Sequence, residues 1–296
     1  MKAASVKTRF APHGYGGIAI ILGAEALLFG GNQLVGHWFT PIVWTGYILF
    51  IDSLVYKFKG RSPLMNDRLG FLIVAVISIA GWWLFEFYNA PRFWNSPVEL
   101  WWHYHNLETN LFLRRAGYDW AFATIFPAMF ETAELFTVTL FKGRPAGLTI
   151  KFPNSMLIIL ALIGVIGVIM PLVFPSEWFA PVVWLSFVLF LDPINALRGS
   201  PSITSDLSRG KWRRLLSLLA GGLVCGFLWE FWNYWALSKW TYTVPYFGNI
   251  KIFEMPVLGY LGFPPFAVEC WVIYIFLRSL LKLALRESDG EIFLRS

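Results

Sequence analysis

Carboxyl groups inside apolar stretches are the residues of this chain best suited to chemistry. An ionisable group at the centre of a bilayer is costly, and it usually faces a protein interior or a water-filled cavity. Without basic partners nearby in the sequence, such a carboxyl can stay protonated or share a proton, because burial and neighbouring carboxyls favour its neutral form. Eight of the 18 acidic residues are of this kind: Glu25, Asp52, Glu86, Glu131, Glu134, Asp192, Glu230 and Glu269.

Glu131 and Glu269 are the candidate catalytic pair. Each follows a proline by four residues, in Pro127-x-x-x-Glu131 and Pro265-x-x-x-Glu269. Proline leaves a carbonyl one turn earlier without its helical partner, so a kink and a carboxyl share one helix face. Each glutamate lies roughly 20 Å from the outer end of its predicted span, near mid-membrane depth. We expect both to face a shared cavity as proton donors or acceptors; the alternative is that each holds its kink by an interhelical hydrogen bond.

A second set of residues, near the outer membrane boundary, supplies candidate substrate-binding groups. A glutamate and an asparagine three residues apart project from one helix face, and a Trp-x-Tyr motif follows them. Together they could bind a lipid head group or stabilise a cation, because ring faces attract positive charge. The alternative is a polar clamp between helices. The pattern occurs twice, as Glu86, Asn89, Trp102 and Tyr104, and as Glu230, Asn233, Trp240 and Tyr242.

Asp52 and Asp192 complete the candidate binding groups. Both lie in the inner half of their predicted spans, and Pro193 follows Asp192 directly. Either they contact a ligand, or they cap helices and contact the basic inner loops.

No metal site or cofactor motif is predicted. His103 and His105 alternate in an outer loop, but no Cys or His cluster at metal-binding spacing accompanies them. Cys225 and Cys270 lie in apolar blocks as small core residues. The sequence leaves any cofactor unknown.

The elements that must carry these groups are membrane helices. Apolar residues make up 57% of the chain and charged residues only 14%, with a mean hydropathy of +0.57, which excludes a large soluble enzyme. The apolar blocks are near the 20 residues or so that cross a bilayer. They predict an all-α polytopic bundle of about eight spans, at 17–36, 41–57, 69–89, 117–140, 155–174, 181–197, 213–236 and 257–280.

The basic residues predict the orientation. With the N-terminus inside, nineteen of the 24 Lys and Arg residues fall in cytoplasmic segments, so both termini are expected in the cytoplasm. The net charge of +6 then reflects topology and attraction to membrane lipid, and nucleic-acid binding is not needed to explain it. We expect a multi-pass protein of the cell membrane, most simply a bacterial inner membrane. The sequence does not specify an oligomeric state.

Tryptophan and tyrosine are concentrated on the predicted outer side, where amphipathic rings favour the membrane interface. An anchoring belt is the simplest interpretation. It would comprise Trp38, Trp94, Trp101, Trp102, Tyr104, Trp178, Trp235, Trp240, Tyr242 and Tyr246.

An internal repeat organises the chain. The stretch from Pro41 to Asp52 matches that from Pro181 to Asp192, 140 residues further on, and the polar motifs above recur at similar spacing. The predicted units are 1–16 (cytoplasmic segment), 17–140 (first four-helix repeat), 141–154 (linker), 155–282 (second repeat) and 283–296 (cytoplasmic tail). Because four spans return the chain to its starting side, the two copies are expected to be parallel, with a cavity between them.

The order Glu230, Trp240-x-Tyr242, Pro256 and a Gly/Pro/Phe-rich helix with Glu269 resembles small polytopic carotenoid-pathway proteins of the lycopene cyclase-domain and CruF-like groups. The resemblance covers about 40 residues. It implies acid–base chemistry on an isoprenoid, with Glu269 nearest to the acidic Pro-x-Glu-Glu element of the cyclases. Here Cys270 replaces the second acid of that element.

Two classes of function fit these residues. An intramembrane enzyme would use a protonated glutamate as general acid on an isoprenoid or other lipophilic molecule, with aromatic walls around a cationic intermediate. A proton-coupled transporter of a small or lipid-like molecule would use the same carboxyls as relay groups. The aromatic fraction of 19% favours a lipophilic ligand, but the sequence does not decide whether the protein is an enzyme.

The predicted topology can be tested with reporter fusions. Reporters fused after residues 65, 147, 207 and 290 should report cytoplasm, and those near 105 and 245 should report the outside, because the basic loops stay inside. Opposite labelling of either outer loop would overturn the assignment of the spans.

Overall fold

The computed structural model describes residues 9–90, 99–143, 147–243, 245 and 248–282. Within them the protein is an all-α bundle in which eight helices are long and apolar enough to cross a membrane. The spanning helices are α1 (Pro12–Phe29), α3 (Phe39–Lys59), α5 (Arg68–Asn89), α6 (Leu111–Val138), α7 (Asn154–Val173), α8 (Ala180–Leu197), α10 (Arg213–Trp235) and α11 (Phe263–Lys282).

Short elements connect the spans. The helices α2 (Gln33–His37), α4 (Pro63–Asn66) and α9 (Ile203–Leu207) lie in loops, and 3₁₀ turns at Glu177–Phe179 and Val257–Gly262 lead into α8 and α11. Four short strands pair in two ribbons: β1 (Trp102–His105) with β2 (Lys239–Tyr242), and β3 (Lys251–Ile252) with β4 (Met255–Pro256). We call the end of the bundle that carries β1 and β2 the ribbon end, and the opposite end the basic end.

The eight predicted spans are confirmed, with three corrections to their bounds. The α-helix of the eighth span begins at Phe263 instead of 257, because Val257–Gly262 forms a 3₁₀ turn. The first helix begins at Pro12 and ends at Phe29, instead of covering 17–36. Proline favours the first turn of a helix, and Gly31 takes a left-handed conformation (φ +82°) that ends it. The fourth helix begins at Leu111, before the predicted 117, because the Asn110 side chain accepts hydrogen bonds from its first backbone N–H groups.

Helix pairing is set by small residues. A Cβ added to Gly17 on α1 would lie 2.4 Å from the Gly46 carbonyl of α3, and one added to Gly164 on α7 would lie 2.2 Å from the Phe190 nitrogen of α8. The backbones of each pair therefore approach closely, as membrane helices with glycine at their contacts do. Glycines of α10 likewise lie against α6 and α11. The helix α3 also packs on α6, and α8 packs on α11.

The outermost helices present apolar side chains to their surroundings. Only 17% of the apolar window of α7 is buried, and 22% of that of α1. Such faces suit lipid rather than water. The chain is thus a multi-pass membrane protein whose polar groups lie mainly on the inner helices.

Asp52 and Asp192 organise the basic end. Asp192 accepts hydrogen bonds from the backbone N–H groups of Ile203 (2.6 Å) and Thr204 (2.9 Å) at the start of α9. Asp52 accepts one from the Leu64 N–H (3.1 Å) at the start of α4. Both carboxyls are buried and lie away from the ribbon end, so these contacts support the capping alternative, and a ligand-binding role stays a prediction.

Removing the Asp192 carboxyl should therefore destabilise the fold. Asp192→Ala leaves two buried N–H groups unsatisfied, which we expect to lower the free energy of unfolding by about 1–3 kcal/mol. Asp192→Asn keeps one acceptor oxygen and should cost less. Unfolding of the purified wild type and both variants in the same detergent compares their free energies of unfolding. Equal stability of Asp192→Ala and wild type would contradict the capping role.

Candidate functional site

A two-stranded ribbon brings the two Trp-x-Tyr motifs together. Strands β1 and β2 are antiparallel, with Trp102 opposite Tyr242 and Tyr104 opposite Trp240. Because side chains alternate between the faces of a strand, these four aromatic residues share one face of the ribbon. The motifs stand far apart in the sequence, yet they form one continuous aromatic surface.

Two asparagine amides fix the ribbon to the helices. The Asn89 Oδ1 accepts hydrogen bonds from the backbone N–H groups of Trp101 (2.8 Å) and Trp102 (3.1 Å), and its Nδ2 donates to the Trp102 carbonyl (2.9 Å). Asn233 does the same for Trp240, accepting from its N–H (2.9 Å) and donating to its carbonyl (2.8 Å). Both side chains are fully buried. Each side-chain amide thus makes the hydrogen bonds to the strand backbone that a neighbouring strand would otherwise make.

Each glutamate of the repeated motif binds the tyrosine of its own strand. The Tyr104 hydroxyl donates to Glu86 Oε1 at 2.5 Å, and the Tyr242 hydroxyl donates to Glu230 Oε1 at 2.7 Å. We call these contacts the two Tyr–Glu pairs.

The surroundings of the two pairs differ. Glu86 Oε1 also accepts from the indole N–H groups of Trp82 (2.8 Å) and Trp102 (3.1 Å). In the other pair, the Trp240 indole donates to the Tyr242 hydroxyl itself, at 2.6 Å. Glu230 Oε2 is buried without a hydrogen-bond partner in the described part of the chain.

A cavity of about 530 Å³ lies beneath the aromatic face of the ribbon. Its size falls in the range of about 300–1,000 Å³ that small-molecule sites occupy. Charged groups, such as Glu108, Arg114 and Lys239, are few among its lining residues. The walls are mainly aromatic, with Trp82, Trp101, Trp102, Tyr104, Tyr118, Phe122, Trp184, Trp229, Trp240, Tyr242, Phe263 and Phe266.

The ring contacts show that the walls form one packed aromatic layer. The Trp102 ring stacks on Trp184 of α8, with centroids 6.3 Å apart, and lies 5.7 Å from Trp82 of α5. Trp184 in turn meets Phe266 of α11 edge to face at 5.0 Å. Such packing gives rigid walls that suit an apolar ligand.

The two phenols remain protonated over the physiological range. Burial of the hydroxyl ends raises the pKa of Tyr104 and of Tyr242 well above the ordinary value, and the adjacent carboxyls of Glu86 and Glu230 raise it further. Each hydroxyl proton is directed to a carboxyl, so a ligand can be met only by lone pairs of the phenol oxygen. The Tyr242 oxygen already accepts a hydrogen bond from the Trp240 indole and has one lone pair left.

Glu131 and Glu269 lie outside this site. Both are fully buried, and neither is among the residues that line the cavity. Their carboxyl oxygens make no well-formed hydrogen bond within the described residues. Glu131 lies beside the Asp52 carboxyl, and Glu269 lies beside the Phe187 backbone. The cavity that we expected them to share is therefore not the one at the ribbon end, and their catalytic role stays a prediction.

Several lining residues were not singled out from the sequence. Trp82 precedes Glu86 by one helical turn, so the i,i+4 relation could have identified it. Trp184 belongs to the stretch that matches Pro41–Asp52, but its contact with Trp102 depends on the fold.

The anchoring belt also needs correction. Trp178 and Trp235 are exposed, as belt residues should be, whereas Trp101 and Trp102 are buried (3% and 4% exposed) as part of the cavity wall. Trp94 and Tyr246 fall outside the described residues.

The histidines of the outer loop lie on the other face of the ribbon. His103 hydrogen-bonds the Thr243 hydroxyl (2.7 Å) and His105 the Thr241 hydroxyl (2.8 Å). Among the described residues, no three His, Cys, Asp or Glu side chains gather in a way that could hold a metal ion.

Comparison of the chain with protein-family models, with curated proteins and with solved structures gave no match.

The position of Glu131 and Glu269 away from the cavity can be tested with glutamine. Gln keeps the size of Glu but cannot exchange a proton. Because neither side chain lines the cavity, Glu131→Gln and Glu269→Gln should keep near-normal thermal stability and the same amount of co-purified lipophilic ligand. Turnover lost in these variants, with folding intact, would instead establish the catalytic role predicted for the pair.

Proposed function

We propose that this protein is an intramembrane enzyme that binds a lipophilic molecule of the isoprenoid class in the ribbon-end cavity and acts on it by acid–base chemistry. The observation that carries the proposal is the pair of phenols, Tyr104 and Tyr242, which face an aromatic cavity with a glutamate hydrogen-bonded behind each.

The walls support a lipophilic ligand. An aromatic layer supplies large apolar contact area and few polar groups that a water-soluble substrate would need. Leu113 and Leu185 line the cavity and are also exposed at the surface of their helices, at 41% and 50%. A ligand dissolved in the bilayer would meet these residues first, so entry from the membrane is expected.

The Tyr–Glu pairs support acid–base chemistry. In the proposed reaction, a protonated Glu230 first passes a proton through the Tyr242 hydroxyl to a double bond of the ligand, whose π electrons form the new C–H bond and leave a carbocation. The cation then loses a proton from another carbon to the Tyr242 oxygen, while the Tyr242 hydroxyl proton passes back to the Glu230 carboxylate. The electron pair of the broken C–H bond becomes the double bond of the product, and Glu230 ends protonated, as it began. Tryptophan faces stabilise the positive charge on the ligand throughout.

The resemblance to carotenoid-pathway proteins agrees with this proposal in part. It rests on Glu230, Trp240-x-Tyr242 and Glu269, and the first three meet at the cavity. Glu269, which the resemblance implies as the acid, lies elsewhere. We therefore assign the chemistry to Glu230 and Glu86 through their tyrosines.

We also propose that the chain contains two copies of one four-helix unit. Matched contacts support this: each Asn of the Glu-x-x-Asn motif binds a strand backbone, and each Glu binds the tyrosine of that strand. The ribbon register is symmetric about the His103–Thr241 pair, as expected for two parallel copies related by an axis along the membrane normal. The predicted cytoplasmic location of both termini belongs to the same proposal.

The ligand can be identified directly. Lipids extracted from the protein purified in mild detergent should be enriched in an isoprenoid hydrocarbon relative to the host membrane, as measured by mass spectrometry. Tyr104→Phe/Tyr242→Phe should retain that ligand, because the apolar wall remains, but slow its conversion roughly a hundredfold or more. Tyr15→Phe/Tyr234→Phe, at two exposed positions outside the lining, is the matched control.

Two results would contradict the enzyme proposal. Full conversion by the Tyr104→Phe/Tyr242→Phe variant would show that the phenols transfer no proton. A ligand that crosses vesicle membranes unchanged, with transport abolished by Glu86→Gln/Glu230→Gln, would favour the carrier.

A further inference from the structure

Three hydrogen-bond donors converge on one oxygen of Glu86. Its Oε1 accepts from the Tyr104 hydroxyl at 2.5 Å, from the Trp82 indole at 2.8 Å and from the Trp102 indole at 3.1 Å. Hydrogen bonds that a carboxylate accepts favour its ionised form. Glu86 is also half-buried, whereas Glu230 is fully buried, so ionisation costs Glu86 less hydration. Both features favour a negative charge at Glu86.

The second Tyr–Glu pair lacks this set of donors. Among the described residues, only the Tyr242 hydroxyl donates a well-formed hydrogen bond to Glu230, and the Trp240 indole donates to the Tyr242 oxygen instead. Gly226 stands four residues before Glu230, where the first pair has a tryptophan. A side chain at Gly226 would collide with the Phe263 ring. While that ring is in place, no indole can reach Glu230 from this position.

No lysine or arginine forms an ion pair with Glu86 within the part of the chain that the structure describes. The lysine and arginine ion pairs found there are Lys59–Glu134, Arg115–Asp119, Arg214–Asp206 and Lys239–Glu254. Glu99, a charged neighbour of Glu86, is also acidic. A charge in a poorly solvated place is costly unless an opposite charge lies near it. An ionised Glu86 therefore favours a cationic ligand.

The cavity wall beside Glu86 consists of aromatic rings. Trp82, Trp102 and Tyr104, which donate hydrogen bonds to this carboxyl, all line the cavity, and Trp184 of the same lining stacks on Trp102. Ring faces attract positive charge, and aromatic cages recognise quaternary ammonium groups. A negative charge behind aromatic rings thus suits a cation that carries apolar groups.

We infer that the part of the cavity beside Glu86 is a binding site for a lipophilic cation, with Glu86 as its counter-ion. The inference deepens the proposed function and rests on it for the natural occupant, a carbocation of the isoprenoid. The two Tyr–Glu pairs then have different tasks, because the Glu230 pair exchanges the proton while the Glu86 pair holds the positive charge in place. Glu86 is a positioning residue, since Tyr104 and the indoles lie between it and the ligand.

The test uses the full chain in a neutral detergent, with two radiolabelled probes. One is dodecyltrimethylammonium, and the other is its uncharged isostere, in which a carbon atom replaces the nitrogen. Scintillation proximity on the immobilised protein measures the affinity for each probe. Wild type should bind the ammonium more tightly than the isostere. Glu86→Gln keeps an acceptor oxygen but removes the charge, so it should weaken ammonium binding about tenfold and leave isostere binding unchanged.

The matched comparison is Glu230→Gln, which removes the equivalent carboxyl of the other pair. It should bind the ammonium as tightly as wild type, because Glu230 is not the counter-ion. If Glu86→Gln does not fold, Trp82→Phe carries the test. That variant keeps a ring in the cavity wall but removes one donor to the carboxylate, so it should weaken binding of the ammonium and not of the isostere.

Equal affinities of wild type for the two probes, or equal losses in Glu86→Gln and Glu230→Gln, would overturn the inference. The measurement involves no turnover, so its result is separate from that of the enzyme proposal. Conversion of an isoprenoid by a wild type that does not prefer the ammonium would contradict the cation site alone. Ammonium binding that depends on Glu86, without conversion of any isoprenoid, would support the cation site and contradict the enzyme proposal alone.

Discussion

The bonds from Asn89 and Asn233 to the strand backbones are the contacts on which the ribbon end depends. A strand that lies against apolar helices has N–H and C=O groups that water cannot reach, and each would cost free energy if left unpaired. The two buried amides satisfy them from opposite sides of the ribbon. Because these backbone groups are satisfied, the ribbon can pack with its aromatic face toward the helices and cover the cavity. The ribbon also joins the first four spans to the last four, since β1 follows α5 and β2 follows α10.

The buried polar side chains of this protein differ in how many of their polar atoms make hydrogen bonds. Asn89 uses both its oxygen and its nitrogen in hydrogen bonds, and Asp192 uses both oxygens to cap α9. Such groups have every polar side-chain atom engaged within the protein, and they fix its geometry. Glu230 differs, because one oxygen holds Tyr242 and the other has no partner in the described part of the chain. A carboxyl that is held in place by one oxygen while the other oxygen has no partner, as in Glu230, is suited to proton transfer.

The sequence predicted the spans well because hydrophobic length is a local property that a bilayer enforces. It also identified Glu86 with Asn89 and Glu230 with Asn233, since a three-residue spacing places both side chains on one helix face. It could not predict that Trp102 pairs with Tyr242, because short strands carry little local signal and their pairing joins distant segments. Because the strand pairing was not predicted, Trp101 and Trp102 were interpreted as residues of the membrane interface, whereas the structure buries both. Proline context and depth alone could not show that Glu131 does not line the cavity.

In the proposed enzyme, the tyrosines keep the carboxyls out of contact with the lipophilic ligand. A bare carboxylate in contact with hydrocarbon is strongly disfavoured, because it loses its hydration and gains no hydrogen bond in return. Here Tyr104 and Tyr242 stand between the carboxyls and the cavity, so the ligand contacts phenol oxygen and ring faces instead. In the proposed reaction the carboxyl acts through the tyrosine hydroxyl: as the phenol oxygen takes a proton from the ligand, the hydroxyl proton passes along its hydrogen bond to the carboxyl. Positive charge on the ligand would then lie against aromatic ring faces, with the compensating carboxylate charge one hydrogen bond away.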